Sequence, residues 1–165
     1  MRTNPVTGET LVVRDTGADL LRVEITAHPG RPGPPAHVHP GAAERFVVRS
    51  GALRVRVGRE RRVLRAGEEA TAAPGETHAY TAVGDEPAVF TVELVPPGGM
   101  AAFFDGVYGL AERGLVGRIG QPGLLRVAPL FDAHLSDIAL PGVPLPVQRP
   151  VWRALASLGR LVHGS

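Results

Sequence analysis

Between Leu11 and Val95, apolar and polar residues alternate in short runs, each closed by a glycine or proline turn, and no helix can be drawn through that pattern. Leu21, Val23, Ile25 and Ala27 alternate with Arg22, Glu24, Thr26 and His28, the period of a strand with one buried face and one wet face. Phe46 and Val48 continue the pattern up to Ser50-Gly51. Leu53-Arg54-Val55-Arg56-Val57 can then fold back on Arg61-Arg62-Val63-Leu64 across Gly58-Arg59-Glu60 as a hairpin. Glu69 to Ala73, Thr77 to Val83 and Ala88 to Val95 complete the set, divided by Pro74-Gly75 and Gly84-Asp85-Glu86-Pro87. Seven or eight short strands at this spacing predict a mainly β architecture, a sandwich or small barrel.

The pattern changes at Pro96-Pro97-Gly98-Gly99, which divides a β domain of residues 1–97 from a helical extension of residues 98–165. Met100 to Arg113 spaces Phe103, Phe104, Val107, Tyr108, Leu110 and Ala111 as a helix does, with Gly114 as its stop. A second helical stretch runs from Gly123 to Asp137, and Pro129 is expected to break or kink it. Pro141, Pro144, Pro146 and Pro150 predict an extended connector. Val151 to Val162 follows as an amphipathic helix, with Arg153, Ser157 and Arg160 opposite Trp152, Leu155, Leu158 and Val162. These helices are too apolar for a free tail, so they are expected to pack on the barrel or on a partner chain. Together with exposed sheet edges, they predict a homodimer. The long proline-rich connector argues against a DNA-reading helix-turn-helix.

Composition removes several classes of function. The 165 residues include no cysteine, so disulfides, thiolate nucleophiles and Cys-ligated zinc are excluded. All 18 basic residues are arginine, so no side-chain amine can form a Schiff base. The pI near 9.9 reflects a net charge of only +2 in a chain with almost nothing to titrate at alkaline pH. The densest basic run, Arg54, Arg56, Arg59, Arg61, Arg62 and Arg65, alternates with Leu53, Val55 and Val57 as the solvated face of a hairpin, so no nucleic acid is expected as a partner. No apolar run approaches the ~20 residues of a membrane span. The opening Met1 to Gly8 lacks the apolar stretch of a secretory signal, and a cytoplasmic protein is expected.

Three of the six histidines fall into one constellation. His37 and His39, at i and i+2 of an extended segment, share a face, and Glu44 follows across Pro40-Gly41-Ala42-Ala43. His78 comes after Pro74-Gly75-Glu76-Thr77. Three imidazoles and a carboxylate suit one divalent transition metal ion (Fe, Mn, Ni, Cu or Zn) and leave coordination positions open. Tyr80, two residues beyond His78, should point into the same cavity, as should Phe46, two beyond Glu44. Leu53, Val55, Phe90 and Val92 would make its wall apolar, which suits an apolar or aromatic small molecule. Glu93 faces out if Phe90, Val92 and Leu94 face in. Acid–base work then falls to Glu44, to a metal-bound hydroxide or to Tyr80. His28, His134 and His163 read as surface or helix-end residues, and Asp105 and Glu112 as the polar face of their helix.

His37-x-His39-x4-Glu44-x6-Gly51 resembles the first motif of the cupin superfamily, and Gly67, Gly75 and His78 resemble its second. The two are separated by the fifteen residues Ala52 to Ala66, the short spacing of small bacterial cupins. Ala73 and Ala82 stand where the second motif has proline and asparagine. The resemblance covers Leu20 to Val95, and the helical tail is similar to that of actinobacterial-type single-domain cupins. It implies a cupin-type double-stranded β-helix, or jelly-roll barrel, with His37, His39, Glu44 and His78 as metal ligands. The same resemblance implies a metal-dependent oxygenase or oxidoreductase of the dioxygenase type, and a small enolic, diketone or phenolic substrate is expected. A redox-neutral isomerase or polyketide-type cyclase is the alternative, and a non-catalytic binding barrel a third.

Overall fold

The computed structural model describes residues 1–163. Nine strands precede three helices: β1 Arg2–Thr3, β2 Thr10–Thr16, β3 Leu21–Ala27, β4 Ala43–Ser50, β5 Ala52–Val57, β6 Glu60–Arg65, β7 Glu69–Ala72, β8 His78–Val83, β9 Ala88–Val95, α1 Met100–Glu112, α2 Leu124–Ala133 and α3 Leu145–His163. The strands form two antiparallel sheets, one ordered β1-β2-β3-β9-β4-β7 and one ordered β6-β5-β8. The alternation read in the sequence is what buries: β3 is inward at Leu21, Val23, Ile25 and Ala27 and partly accessible between them. Phe46, Val92 and Phe90 from the large sheet and Leu53, Val55 and Tyr80 from the small one meet in a single core. The arginines of β5 and β6 are exposed: Arg56 and Arg61 pair on the solvent face, while Arg62, opposite Val55, stays accessible at the rim of the inward face because β6 is the edge strand.

Gly51 closes the turn from β4 to β5 at φ +71°, where a Cβ would sit 2.3 Å from the Pro87 carbonyl oxygen. Positive φ and this close approach both require glycine there, which accounts for the residue ending the first motif.

The helices belong to the same body as the strands. Met100, Phe103, Tyr108 and Ile138 join the barrel core, and Arg2 ties β1 to α1 through Asp105 and Glu112, each at 2.9 Å. A second apolar cluster of Ala128, Leu135, Ala139, Trp152 and Ala156 joins α2 to α3.

Three expectations for this region are corrected. Pro129 does not break α2, which runs through it and ends at Ala133. The connector is shorter than expected, because α3 starts at Leu145 and takes in both Pro146 and Pro150. Pro146 sits in the first turn, where a missing N–H costs nothing. The buried face of α3 is also different. It is Gln148, Trp152, Ala156 and Gly159, while Leu158 and Val162 are exposed. Gln148 decides that rotation: its amide bonds Leu140 N and O, each at 3.0 Å, and Val143 O at 2.6 Å, so a polar side chain takes an inward position. No helix among the described residues is long and apolar enough to cross a membrane.

Candidate metal centre

His37 and His39 lie on a segment with no ladder of its own, pinned on both sides. His37 exchanges backbone hydrogen bonds with His78 (3.1 and 3.0 Å), and Val38 exchanges them with Ala139 (3.0 Å each way). Glu44 enters from the second residue of β4 and His78 from the first of β8. One ligand atom from each of the four residues falls within 4.8 Å of all the others. His39, Glu44 and His78 are buried, and His37 is partly accessible at the edge of a cavity.

The hydrogen-bond chemistry of this cluster is unbalanced. Each imidazole turns Nδ1 towards a backbone carbonyl: His37 to Pro35 at 2.9 Å, His39 to Asp137 at 2.6 Å and His78 to Glu76 at 2.8 Å. A carbonyl only accepts, so each Nδ1 carries the hydrogen and each Nε2 of a neutral ring presents a lone pair. Those Nε2 atoms face one another and the carboxylate. His37 Nε2 and His78 Nε2 are 3.2 Å apart, and Glu44 Oε2 is 2.6 Å from His78 Nε2 and 3.6 Å from His39 Nε2. His39 Nε2 and Glu44 Oε2 are both buried without a hydrogen-bond partner. A buried ring of acceptors is stable only around positive charge, either protons on the rings or a cation at the centre. The residues therefore fit a divalent metal ion, with His37, His39, Glu44 and His78 as the group that could hold it.

The charges respond to this crowding. Burial pulls the His37 ring down to about 4, against the upward pull of Glu44, so that imidazole stays neutral. Burial would raise the Glu44 carboxyl, yet His39 and His78 overcome it and hold the group below the usual carboxylate range. Burial lowers His78 while Glu44 raises it, and the carboxylate prevails.

Beside the cluster lies a cavity of about 280 Å³. Its wall is mainly apolar, but not as the strand pattern predicts. Val92 borders it, whereas Leu53, Val55, Phe90 and Phe46 pack behind it in the core. Their places are taken by Leu11 and Ile25 and, from the helices, by Met100, Phe103, Val107 and Phe131. Single-strand periodicity fixes which face is inward, not how deep along the barrel a side chain lies. Tyr80 does line the cavity, and its ring packs between Phe46 at 5.9 Å and Phe90 at 4.9 Å. Its hydroxyl points to Glu9 Oε2 at 3.5 Å. Burial, then the Glu9 carboxyl, push the Tyr80 phenol well above its ordinary value, so it acts as a donor. Glu93 lies outside, bonded to Arg22 and Arg45, as the inward register of Phe90, Val92 and Leu94 requires. His28 and His163 lie away from the cluster, and His134 faces Asp137 at 3.4 Å.

Sequence reasoning missed Glu9 and Tyr108. Glu9 precedes Leu11 by two residues and so shares its inward face, a signal the alternation carried. Nothing in the sequence pairs it with Tyr108, whose hydroxyl donates to Glu9 Oε1 at 2.6 Å.

The Cupin domain family matches residues 23–98, which contain all four residues of the cluster. An uncharacterised conserved protein of Klebsiella pneumoniae with a double-stranded β-helix domain is 31% identical, over 53% of this chain and 76% of its own, with a TM-score of 0.49. TT1209 from Thermus thermophilus is 27% identical over 58% of this chain and 90% of its own, with a TM-score of 0.53. An RmlC-like cupin from Shewanella frigidimarina shares the fold at 20% identity, over 58% of this chain and 83% of its own, with a TM-score of 0.52. No functionally curated protein matches the chain. The family match, the paired antiparallel sheets and the converging His/Glu cluster agree: this chain belongs to the cupin superfamily and carries a helical extension at its C-terminal end.

Proposed function

We propose that the protein is a metal-dependent enzyme of the oxygenase or oxidoreductase class, acting on a small enolic, diketone or phenolic molecule held in the apolar cavity. The observation that carries this reading is the juxtaposition of four convergent acceptors, two of them buried without a partner, with a cavity large enough for a ring-sized molecule. A bound divalent ion would supply a Lewis acid and, for iron, manganese, nickel or copper, the one-electron chemistry that dioxygen needs. The chain's own residues do the rest. His37, His39 and His78 present their Nε2 atoms towards one point, in orientations that their carbonyl partners fix. Glu44 is the fourth ligand and the carboxylate placed to take a proton from an acidic hydroxyl. Tyr80 keeps its proton, which it directs at Glu9 Oε2, and its hydroxyl oxygen is left to accept a hydrogen bond from a ligand. The helices line one side of the cavity with apolar side chains, which lowers the polarity around a bound ligand.

Metal analysis of the purified protein, joined to oxygen-electrode measurements on a panel of enols and phenols, tests the proposal. One ion per chain is expected, lost in His39→Ala and His78→Ala, with oxygen uptake that depends on the ion. A wild-type protein that takes up no transition metal overturns the reading. Turnover that continues unchanged under nitrogen replaces the oxygenase with a redox-neutral isomerase or cyclase.

A further inference from the structure

Glu9 immediately precedes β2, Tyr80 is on β8 and Tyr108 on α1, and all three line the same cavity as His37, His39 and Glu44. Glu9 and Tyr108 both fall outside the residues matched to the family. Tyr108 donates to Glu9 Oε1 at 2.6 Å, while the Tyr80 hydroxyl reaches Oε2 only at 3.5 Å. A carboxylate offers about four lone-pair positions, so this one is under-filled, most of all at Oε2. No basic side chain forms an ion pair with Glu9 among the described residues, although the chain has 18 arginines. Among the described residues, no arginine lines this cavity either. The side chain is only half-buried, open on the side of the space it borders.

An acid in an apolar wall without a cation is costly, and a mere tie between β2 and α1 would be made as well by an uncharged acceptor. The cavity therefore has two polar poles, both made of acceptors, with an apolar span between them. One is the His/Glu cluster. The other is Glu9, reached past Tyr80, whose Cα is offset from that of His78 by about 7 Å along β8, roughly the width of one substituted ring.

We propose that the Glu9 carboxylate, held by Tyr108 and Tyr80, is a binding site for the hydroxyl donor of an uncharged, ring-sized ligand, and that it sets the specificity of the cavity against anions. This rests on the proposed function only in taking the cavity as the ligand site. Burial raises the Glu9 carboxyl against the opposing pull of the two tyrosine hydroxyls, which strengthens its demand for a donor.

The experiment uses metal-free full-length protein, so that binding is read apart from any reaction. Trp152, the chain's one tryptophan, borders the cavity stacked on Phe131 at 4.5 Å and reports occupancy by fluorescence, with calorimetry as the second readout. The probes are para-ethylphenol, para-ethylanisole (the same shape without the donor) and para-ethylbenzoate. The wild type is expected to bind the phenol about tenfold more tightly than the anisole, and the benzoate most weakly. Glu9→Leu should erase the phenol preference while leaving anisole affinity and metal uptake unchanged. Glu9→Gln, which is isosteric and keeps an acceptor, should cut the preference about threefold, since a charged acceptor bonds more strongly than a neutral one. Equal binding of phenol and anisole, no binding of either, tighter binding of benzoate, or a parallel loss of both neutral probes in the variants would each overturn the proposal. Loss of metal uptake in the wild type would instead count against the proposed function and leave this result standing.

Discussion

Glu93 lies on the outer face of β9, 2.8 Å from Arg22 and 3.0 Å from Arg45, and Arg45 also grips Glu69. Arg22 and then Arg45 hold its carboxyl below the usual range against burial. The group is therefore ionised more readily in the folded protein than in the unfolded chain, so its contribution is present above the unfolded value of about 4.3 and lost as pH falls through the folded one. Glu93→Gln should cost about 0.5–1 kcal/mol at pH 7, and the gap to wild type should close in acid; urea denaturation at both pH values measures it. Glu9 runs the other way. Burial raises its carboxyl, so the folded state favours the proton, and the stability from that preference is full at low pH and fades as pH rises through the folded value. Glu9→Gln should therefore raise the unfolding midpoint at neutral pH and not in acid. A variant with the same shift at both pH values would refute the assignment of a partly buried acid that no cation neutralises. Alternation tied the face of Glu93 to the register of Phe90, Val92 and Leu94, and Glu9 was not read at all; the opposite charge environments came from partners in other elements.

Within the helical layer, Pro129 has no N–H to give the Leu125 carbonyl, its partner one turn earlier in α2. Gly159 of α3 packs against that same carbonyl, so close that a Cβ there would stand 2.2 Å from the oxygen. The proline that reads as a helix breaker is thus accommodated inside α2, with a neighbouring backbone closing over the place it leaves. Gly159→Ala should destabilise by about 1–3 kcal/mol even though alanine is the better helix former, because the obstacle is backbone and cannot rotate away. Gly109 in α1 is the control: a Cβ there meets nothing within 4 Å, and Gly109→Ala should stabilise by about 0.5–1 kcal/mol. Chemical-denaturation midpoints separate the two, and equal effects would contradict the packing. Helix existence was legible from apolar spacing, but the rotation of α3 was not. Its inward residue Gln148 is polar, and the leucine and valine residues that periodicity assigned inward, Leu158 and Val162, remain exposed.

Across the whole molecule, the strands carry the His/Glu cluster while the segment after α2 orients one of its members. The Asp137 carbonyl receives the His39 Nδ1 hydrogen across 98 positions of chain, and Ala139 braces Val38 next to it. The layer also supplies much of the cavity wall through Met100, Phe103, Val107 and Phe131. A chain cut after Pro97 should therefore expose that wall and hold its metal about 10–100-fold more weakly. Dye binding and a competitive metal titration would show both effects; full affinity in the fragment would mean that the helices do not orient the site. The sequence by itself determined the paired sheets, the turns and the four converging residues, because a pleated strand repeats every two positions and a ligand set needs particular side chains at short spacings. Only the tertiary structure decided that a helical layer completes the cavity, that a backbone carbonyl sets the tautomer of His39, and that Glu9 meets Tyr108. Any residue can offer a carbonyl, so it leaves no mark in the sequence. Likewise, a bond between residues 99 positions apart has no local pattern to announce it.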